Sequence, residues 1–399
     1  MASPDGKRKI ASGLGIQVLV FILVAATFTT IYITQPVLPV LQREFGVSAT
    51  TASLTVSAVV LGIALANLPF GVLADRVPIQ PLILIGATVV GATSVVCAAT
   101  HHIGLLIAAR FVQGLFIPSM STCLAAYLSR TLPPDRLNVV MGSYVSATVT
   151  GGLGGRLLGG FIHPPLHWRY AFISAGALLV AAALAAVRWL PRDEPAHRSG
   201  EETVGFLALL GRPDLLRIFA VAFFGFFVFS AMFNYLPFYV SGPPLRASVH
   251  LITLLYLAYV VGIIVGPLSG KLSNRLGAGL TMILGSALLA LAIALTLVPS
   301  LPVIAVSLAG MCGGFFAIHA SAVGSLNRRL TSSRGRANSL YVLLYYLGGA
   351  AGISATGAAY VRWGWRGVVV LGIAILAVPL SVGIAELAQQ KKNASPARS

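Results

Sequence analysis

The sequence predicts an all-α membrane protein of 12 transmembrane helices, arranged as two pseudo-symmetric six-helix bundles. Three observations predict it. Of 399 residues, 57% are hydrophobic and only 9% charged, with a mean hydropathy of +0.89; soluble domains carry about 25% charged residues. Apolar stretches long enough to cross a bilayer recur at 14–39, 51–73, 80–99, 103–127, 138–162, 168–190, 215–240, 248–269, 278–298, 301–326, 338–361 and 366–388. The two halves also repeat one another.

The repeat is legible in four places taken in order. Gly114-Leu-Phe116 answers to Gly314-Phe-Phe316, and Arg136-Leu-Asn138 to Arg336-Ala-Asn338. Gly151-Gly-Leu-Gly-Gly155 matches Gly348-Gly-Ala-Ala-Gly352, and Trp168-Arg169 matches Trp365-Arg366, where aromatic belts are expected. The longest polar stretch divides the halves, giving an N-terminal bundle (1–191), a central cytoplasmic loop (192–214) and a C-terminal bundle (215–399). Two parallel repeats imply a binding site near the bilayer midplane between them.

The first half carries most of the motifs. Helix one follows Lys7-Arg-Lys9; its apolar run is too long for a signal peptide and lacks a small-x-small cleavage site, so it reads as a retained span. It ends in Tyr32-Ile-Thr-Gln35-Pro36-Val-Leu-Pro39. Helix two closes on Gly71-Val-Leu-Ala-Asp75-Arg76, followed by Pro78, Ile79 and Gln80. A carboxylate at a helix end can hold an arginine and a neighbouring helix's positive N-terminus, then release them as the halves move. Helix four carries Arg110-Phe-Val-Gln113-Gly114. Helix five holds Gly142, Gly151, Gly155, Gly159 and Gly160, small residues that let a membrane helix approach closely. Among them stands Arg156, whose guanidinium keeps its proton and must therefore face a polar cavity, a partner or an anionic ligand.

In the second half, helix seven offers Asn234 and Tyr235. Helix eight ends in Gly270-Lys-Leu-Ser-Asn274-Arg275-Leu-Gly277, a weaker copy of the helix-two motif. Helix ten contains Gly314-Phe-Phe-Ala-Ile-His319, and helix eleven Tyr345-Tyr346-Leu-Gly348. Tyr32, Gln35, Arg110, Gln113, Arg156, Asn234, Tyr235, Tyr345 and Tyr346 are the substrate-binding candidates; a tyrosine offers an apolar face and one hydrogen bond.

The formal charge of +17 is a topology signal, not a nucleic-acid footprint. With connections numbered alternately, the tails and even connections hold 20 of the 27 Lys and Arg, the odd connections five, and Arg110 and Arg156 lie inside helices. The positive-inside rule then puts both termini in the cytoplasm. None of the 10 acidic residues lies mid-helix. Of seven histidines only His319 is inside a helix; it either carries a proton, since imidazole titrates near neutrality, or is hydrogen-bonded to a neighbour. Arg110 and Arg156 lack a carboxylate in their segments, which points to neutral partners or an anionic cargo. Cys97, Cys123 and Cys312 have no paired or metal-ligand spacing and read as small buried hydrophobes. No acid pair, nucleophile setting, metal cluster or nucleotide loop supports an enzyme or a cofactor.

These motifs resemble the major facilitator superfamily over nearly the whole chain. Gly71 to Arg76 is similar to that family's helix-two loop motif, and Arg110 to Gly114 to its helix-four signature. Helix five is similar to the antiporter glycine signature, with Arg156 where the signature has proline. The segments around Tyr32, His319 and Tyr345 resemble bacterial inner-membrane efflux permeases of the drug and arabinose type. The resemblance implies a monomeric secondary transporter in the bacterial inner membrane, exporting a small amphipathic or anionic solute in exchange for protons. It implies gating by Gly71, Asp75, Arg76, Gly270, Asn274 and Arg275. Two alternatives stand: a uniporter or anion exchanger without proton coupling, and a non-transporting sensor or assembly protein on a transporter fold.

Overall fold

The computed structural model describes residues 13–191, 205–330 and 333–394. Most of the expected central loop, 192–204, lies outside the described residues, as do Lys7, Arg8, Lys9 and His197.

Helix α1 runs Gly13–Thr29, breaks over residues 30–34, then resumes as a 3₁₀ turn, Gln35–Val37, and Leu38–Glu44. The sequence predicts one uninterrupted span here. Pro36 and Pro39 each lack an N–H and crowd the carbonyl four residues earlier, which explains the break. Three spans follow: α2 (Ala49–Ala74), α3 (Ile79–Ala99) and α4 (Ile103–Thr131), the last tightened into a 3₁₀ turn around Pro118. Helices α5 (Pro134–Ile162) and α6 (Arg169–Trp189) complete the first bundle.

After a short helix, Phe206–Leu210, come α7 (Pro213–Ser241), α8 (Val249–Leu276), α9 (Ala278–Leu295) and α10 (Leu301–Arg328). Helical hydrogen bonding then runs on from Arg334 to Ile375, but Gly364 has φ +59° and ψ −149°, a conformation that glycine adopts freely. A side chain on Gly367 would overlap the Ala359 carbonyl, so the chain has reversed: α11 is 334–363 and α12 is 365–394. Among the described residues nine segments are long and apolar enough to cross a membrane, and one of them, Arg334–Gln390, is the double pass. With α1 and α5 the passes number twelve among the described residues, so the start of α1 and the end of α12 lie on one face, here the terminal face; the other is the distal face.

The repeat seen in the sequence is also a repeat of packing. In the first bundle α1 packs on α5, α2 on α4 and α3 on α6; in the second, α7 packs on α11, α8 on α10 and α9 on α12. The glycine matches explain the first pair of seams. A side chain at Gly151 or Gly155 would overlap the backbone of Ala25 or Thr29 in α1; at Gly348 or Gly352 it would overlap Phe223 or Phe227 in α7. Gly159 lies equally close to Ile33. Gly142 differs, since a side chain there meets nothing within 4 Å.

Two seams join the bundles. Helix α2 meets α11 along most of its length, with Ser57 Oγ 2.8 Å from Ser354 Oγ and Asn67 donating to the Ser339 carbonyl at 3.3 Å. Helix α5 meets α8 toward the distal face, where Gly160 abuts the Thr253 side chain and the Phe161 and His250 rings lie 5.9 Å apart.

The two repeated tryptophans are not lipid-facing belts. Trp168 is 1% exposed and donates to Glu44, which also pairs with Arg169 at 2.9 Å. Trp365 is 6% exposed, donates to Thr296 and stacks on Tyr239. An indole N–H buried at a helix end needs an acceptor, and both indoles find one inside the protein. Trp189 and Trp363 are the exposed pair.

Candidate functional site

The site starts from the break in α1. Unwinding residues 30–34 frees backbone carbonyls that a membrane interior leaves unsatisfied unless the protein supplies donors. Arg110, fully buried on α4, supplies them: it donates to the carbonyls of Thr30 (2.7 Å), Ile31 and Thr55 (3.0 Å), and to Gln113 Oε1 (2.6 Å). Gln113 in turn donates to Ser94 at 2.9 Å. Both residues thus lie inside the first bundle, turned onto α1, α2 and α3, and away from the space between bundles.

The break presents Tyr32 and Gln35 to α5, and the glycine seam brings Arg156 against them. Arg156 Nε donates to Gln35 Oε1 at 2.7 Å, one terminal nitrogen to the Gly152 carbonyl at 2.7 Å and the other to Tyr259 Oη at 2.9 Å. Its guanidinium carbon lies 3.9 Å from the Tyr32 ring centroid, 4.2 Å from Tyr259 and 5.3 Å from Tyr256. At 2% exposure the charge is held by neutral acceptors and ring faces, with no carboxylate pairing among the described residues. A guanidinium on aromatic faces is stabilised by about 2 kcal/mol when desolvated. Arg156 stands six residues from the distal end of α5, about 9 Å along a helix, rather than at the midplane the sequence suggests. The clasp it makes with Tyr259 joins the two bundles.

Tyr256 and Tyr259 are site residues that sequence reasoning missed. The 3₁₀ turn Tyr256–Ala258 carries positions three apart onto one face, so the spacing Tyr256-x-x-Tyr259 was the available signal. Tyr256 also donates to the Phe233 carbonyl at 3.0 Å, anchoring α8 to α7.

From Tyr259 an unbroken aromatic wall runs through the second bundle. Tyr259 meets Phe233 (4.8 Å) and Phe229 (5.6 Å); Phe229 stacks on Phe315 at 4.0 Å, and Phe315 lies 5.9 Å from His319. Phe226 stacks on Tyr345 at 3.8 Å, beside Tyr346. His319, half-buried, has Nδ1 3.0 Å from Tyr341 Oη. The structure therefore gathers Tyr345, Tyr346 and His319 into one wall, with Tyr32, Gln35 and Arg156 at its distal end. Phe226, Phe229 and Phe233 were missed, although their i, i+3, i+7 spacing marks one face of α7. Tyr235 is elsewhere, donating to the Ile353 carbonyl in the α7–α11 seam, and Asn234 is fully buried with both amide atoms unpartnered.

On the terminal face Asp75 pairs with Arg130 at 3.6 Å, Gly71 sits beside Thr122, and Arg76 is exposed. In the second half Asn274 and Arg275 are exposed and Gly270 is uncrowded; ion pairs on that face join Arg212 to Asp214 and Arg329 to Glu386. On the distal face His163 lies outside the spans, where burial and then the neighbouring His167 push its pKa below the usual imidazole value.

Twelve passes in two repeated bundles and a buried charge at their junction are the architecture of a multi-pass membrane transporter. The family model of the Major Facilitator Superfamily matches residues 20–325 and 244–398. The chain belongs to that superfamily. It is 29% identical to the inner membrane transport protein YnfM of Escherichia coli K12 over 384 residues, 94% of this chain and 91% of that one. It is 27% identical to the probable transporter SCO4007 of Streptomyces coelicolor, covering 88% and 82%. Among solved structures, a bacterial homolog of the human lysosomal transporter Spinster, inward-facing and unoccupied, aligns with TM-score 0.77 at 15% identity, covering 94% of this chain and 98% of that one. The human organic anion transporter MFSD10 aligns with TM-score 0.70 at 17% identity, covering 92% and 98%. At these identities the structural likeness is one of fold.

Proposed function

We propose that this transporter exports a small organic anion or amphipathic acid across the bacterial inner membrane by alternating access, in exchange for protons. The observation that carries the reading is Arg156, a buried cation at the bundle junction held only by neutral groups. An anionic cargo arriving along the aromatic wall would replace Gln35 and Tyr259 as its acceptor, and breaking the Tyr259 contact frees the distal ends of α5 and α8 to part. The excess of basic residues on one side supports a cytoplasmic terminal face in this reading. An inner-membrane location is in keeping with YnfM's description as an inner membrane protein, and the anionic cargo with MFSD10's as an organic anion transporter. His319 is the proton carrier in this scheme, with Tyr341 as its relay; Asp75–Arg130 and the copy around Asn274 gate the terminal face. The moving bodies are 1–191 and 215–399, working as a monomer.

A second reading, anion exchange without protons, is favoured by the acidic residues, none of which lies mid-span. One experiment separates them. Proteoliposomes loaded with a pH-sensitive dye are challenged with organic acids, sugars and amphipathic drugs. Acid-triggered proton flux that His319→Gln abolishes supports proton exchange. Counterflow of labelled acid without proton movement supports anion exchange. If no anion moves by either route, the Arg156 reading is refuted.

A further inference from the structure

Gln35 sits where the break in α1 and the seam with α5 meet. Its backbone N–H closes the 3₁₀ turn onto the Tyr32 carbonyl at 3.2 Å, and Pro36 follows it. A 3₁₀ turn puts residues three apart on one face, so Tyr32 and Gln35 present their side chains together to Arg156. Gln35 is 1% exposed, and Arg156 Nε donates to its Oε1 at 2.7 Å. That donor fixes the way the amide points, oxygen toward the guanidinium. Elsewhere arginines of this chain are matched with carboxylates: Arg130 with Asp75, Arg169 with Glu44, Arg212 with Asp214 and Arg329 with Glu386. Arg110, sealed inside its own bundle, is committed to three backbone carbonyls and Gln113. At Arg156 the acceptors are an amide, a helical carbonyl and a phenol, and two of the three are side chains that a rotation can move away.

The amide is the informative choice at this position. Glutamate has the length and shape of glutamine, and a carboxylate in the same place would be a permanent charge-assisted partner for the guanidinium. The site would then be neutral before any cargo arrived, and a carboxylate entering it would meet one already there. An amide satisfies the Nε–H without cancelling the charge, and it yields to a carboxylate because the charge-assisted bond is the stronger of the two. Resting on the reading of Arg156 as the cargo's anchor, we infer that Gln35 sets the sign of the charge the site accepts. Its neutrality keeps the positive charge of Arg156 uncompensated, so the counter-ion has to arrive with the cargo. The class this admits is a carboxylate ionised near neutral pH; the primary amide of the same molecule, equal in shape but uncharged, is rejected.

The test measures equilibrium binding to the purified full-length protein near neutral pH by titration calorimetry, with benzoate and naphthoate each compared with its primary amide. The ligand pair repeats in the cargo the change that Gln35→Glu makes in the protein. The parent should favour each acid over its amide by about tenfold or more, the margin of a hydrogen bond to a charged group. In Gln35→Glu the amides should still bind and the preference for acids should vanish or reverse. If the parent binds neither acid, the reading of Arg156 as an anion anchor fails and this inference falls with it. If the parent favours the acids and folded Gln35→Glu favours them equally, that reading stands and Gln35 does not set the sign. Loss of acids and amides alike from the folded variant makes Gln35 an ordinary contact and also overturns the inference. Gln35→Leu, which removes the acceptor without adding charge, decides the matter if Gln35→Glu does not fold: it should keep the preference for acids, and losing it refutes the role given to neutrality.

Discussion

Replacing Arg156 by methionine keeps an unbranched side chain on α5 and removes the charge. Within the first bundle it strands Gln35 Oε1; between bundles it deletes the 2.9 Å bond to Tyr259 Oη and the guanidinium stacked 4.2 Å from that ring. A hydrogen bond from a charged donor contributes about 1.5–3 kcal/mol, and a desolvated cation–π contact about 2 kcal/mol. The cross-bundle share is therefore on the order of 4 kcal/mol, which corresponds to a shift of roughly 10³ in a two-state equilibrium. Water reaching the guanidinium in the distal-open form offsets part of this in the parent, so the net shift expected is at least tenfold toward opening. The assay is a distance measurement between spin labels at Phe161 and His250, whose rings are 5.9 Å apart in the closed seam. Arg156→Met should populate a long-distance component, and Tyr259→Phe a smaller one. If both variants keep the parent's distance distribution, Arg156 is not a clasp between bundles and its place at the junction has no gating consequence.

Other expectations follow from single contacts. Arg110→Met leaves the Thr30 and Ile31 carbonyls of the break unsatisfied, at about 1–3 kcal/mol for each buried group; a melting scan should show a loss far exceeding that of Arg76→Met, which alters an exposed position. Gly155→Leu should prevent a monodisperse fold by driving α5 off Thr29, whereas Gly142→Leu, with nothing within 4 Å, should elute like the parent. His319→Gln should flatten the pH profile of transport, and an unchanged profile excludes His319 as the carrier. His163, with its pKa lowered by burial and by His167, favours the neutral form in the folded loop. The sign follows: above the ordinary imidazole value of about 6.5 folded and unfolded forms are both neutral, and below it the unfolded form gains the proton first. Acidifying the distal face through that range should lower the melting temperature, less so in His163→Gln.

Much of the fold was legible because its determinants are local. Span length, the polar stretch after Leu190 and the matched glycines each report on neighbouring residues, and the glycine matches marked helices five and eleven for close approach without naming α1 and α7 as their partners. The break in α1 was less legible: Gln35-Pro36-Val-Leu-Pro39 could be read, but its effect depended on something to accommodate freed carbonyls. That something was Arg110, 80 residues away from Thr30. In sequence Arg110 and Arg156 are the same object, a lone cation in an apolar helix. Only tertiary contacts show one turned onto the backbone of its own bundle and the other reaching across to α8. Gln113 follows Arg110 inward for the same reason. Trp168 and Trp365 misled because an amphipathic indole at a span end suits either lipid or a buried acceptor, and the acceptors Glu44 and Thr296 lie far off in the chain.

The two arginines grip opposite sides of one irregularity. Arg110 holds the carbonyls of Thr30 and Ile31 from within the first bundle, while Arg156 lies over Tyr32 and bonds Gln35, so the break is fixed on its inner side and coupled to α8 on its outer side. The counterpart in the second half, α7, is helical throughout Pro213–Ser241 with Pro237 inside it. The repeat is therefore symmetric in packing and asymmetric in flexibility. A stretch whose helical bonds are already surrendered changes conformation without breaking a backbone ladder, whereas α7 lacks a rung only where Pro237 has no N–H for the Phe233 carbonyl, which Tyr256 caps instead. A displacement of Arg156 would therefore act on α1 where its backbone ladder is already open and where Arg110, rather than helical bonding, holds the carbonyls.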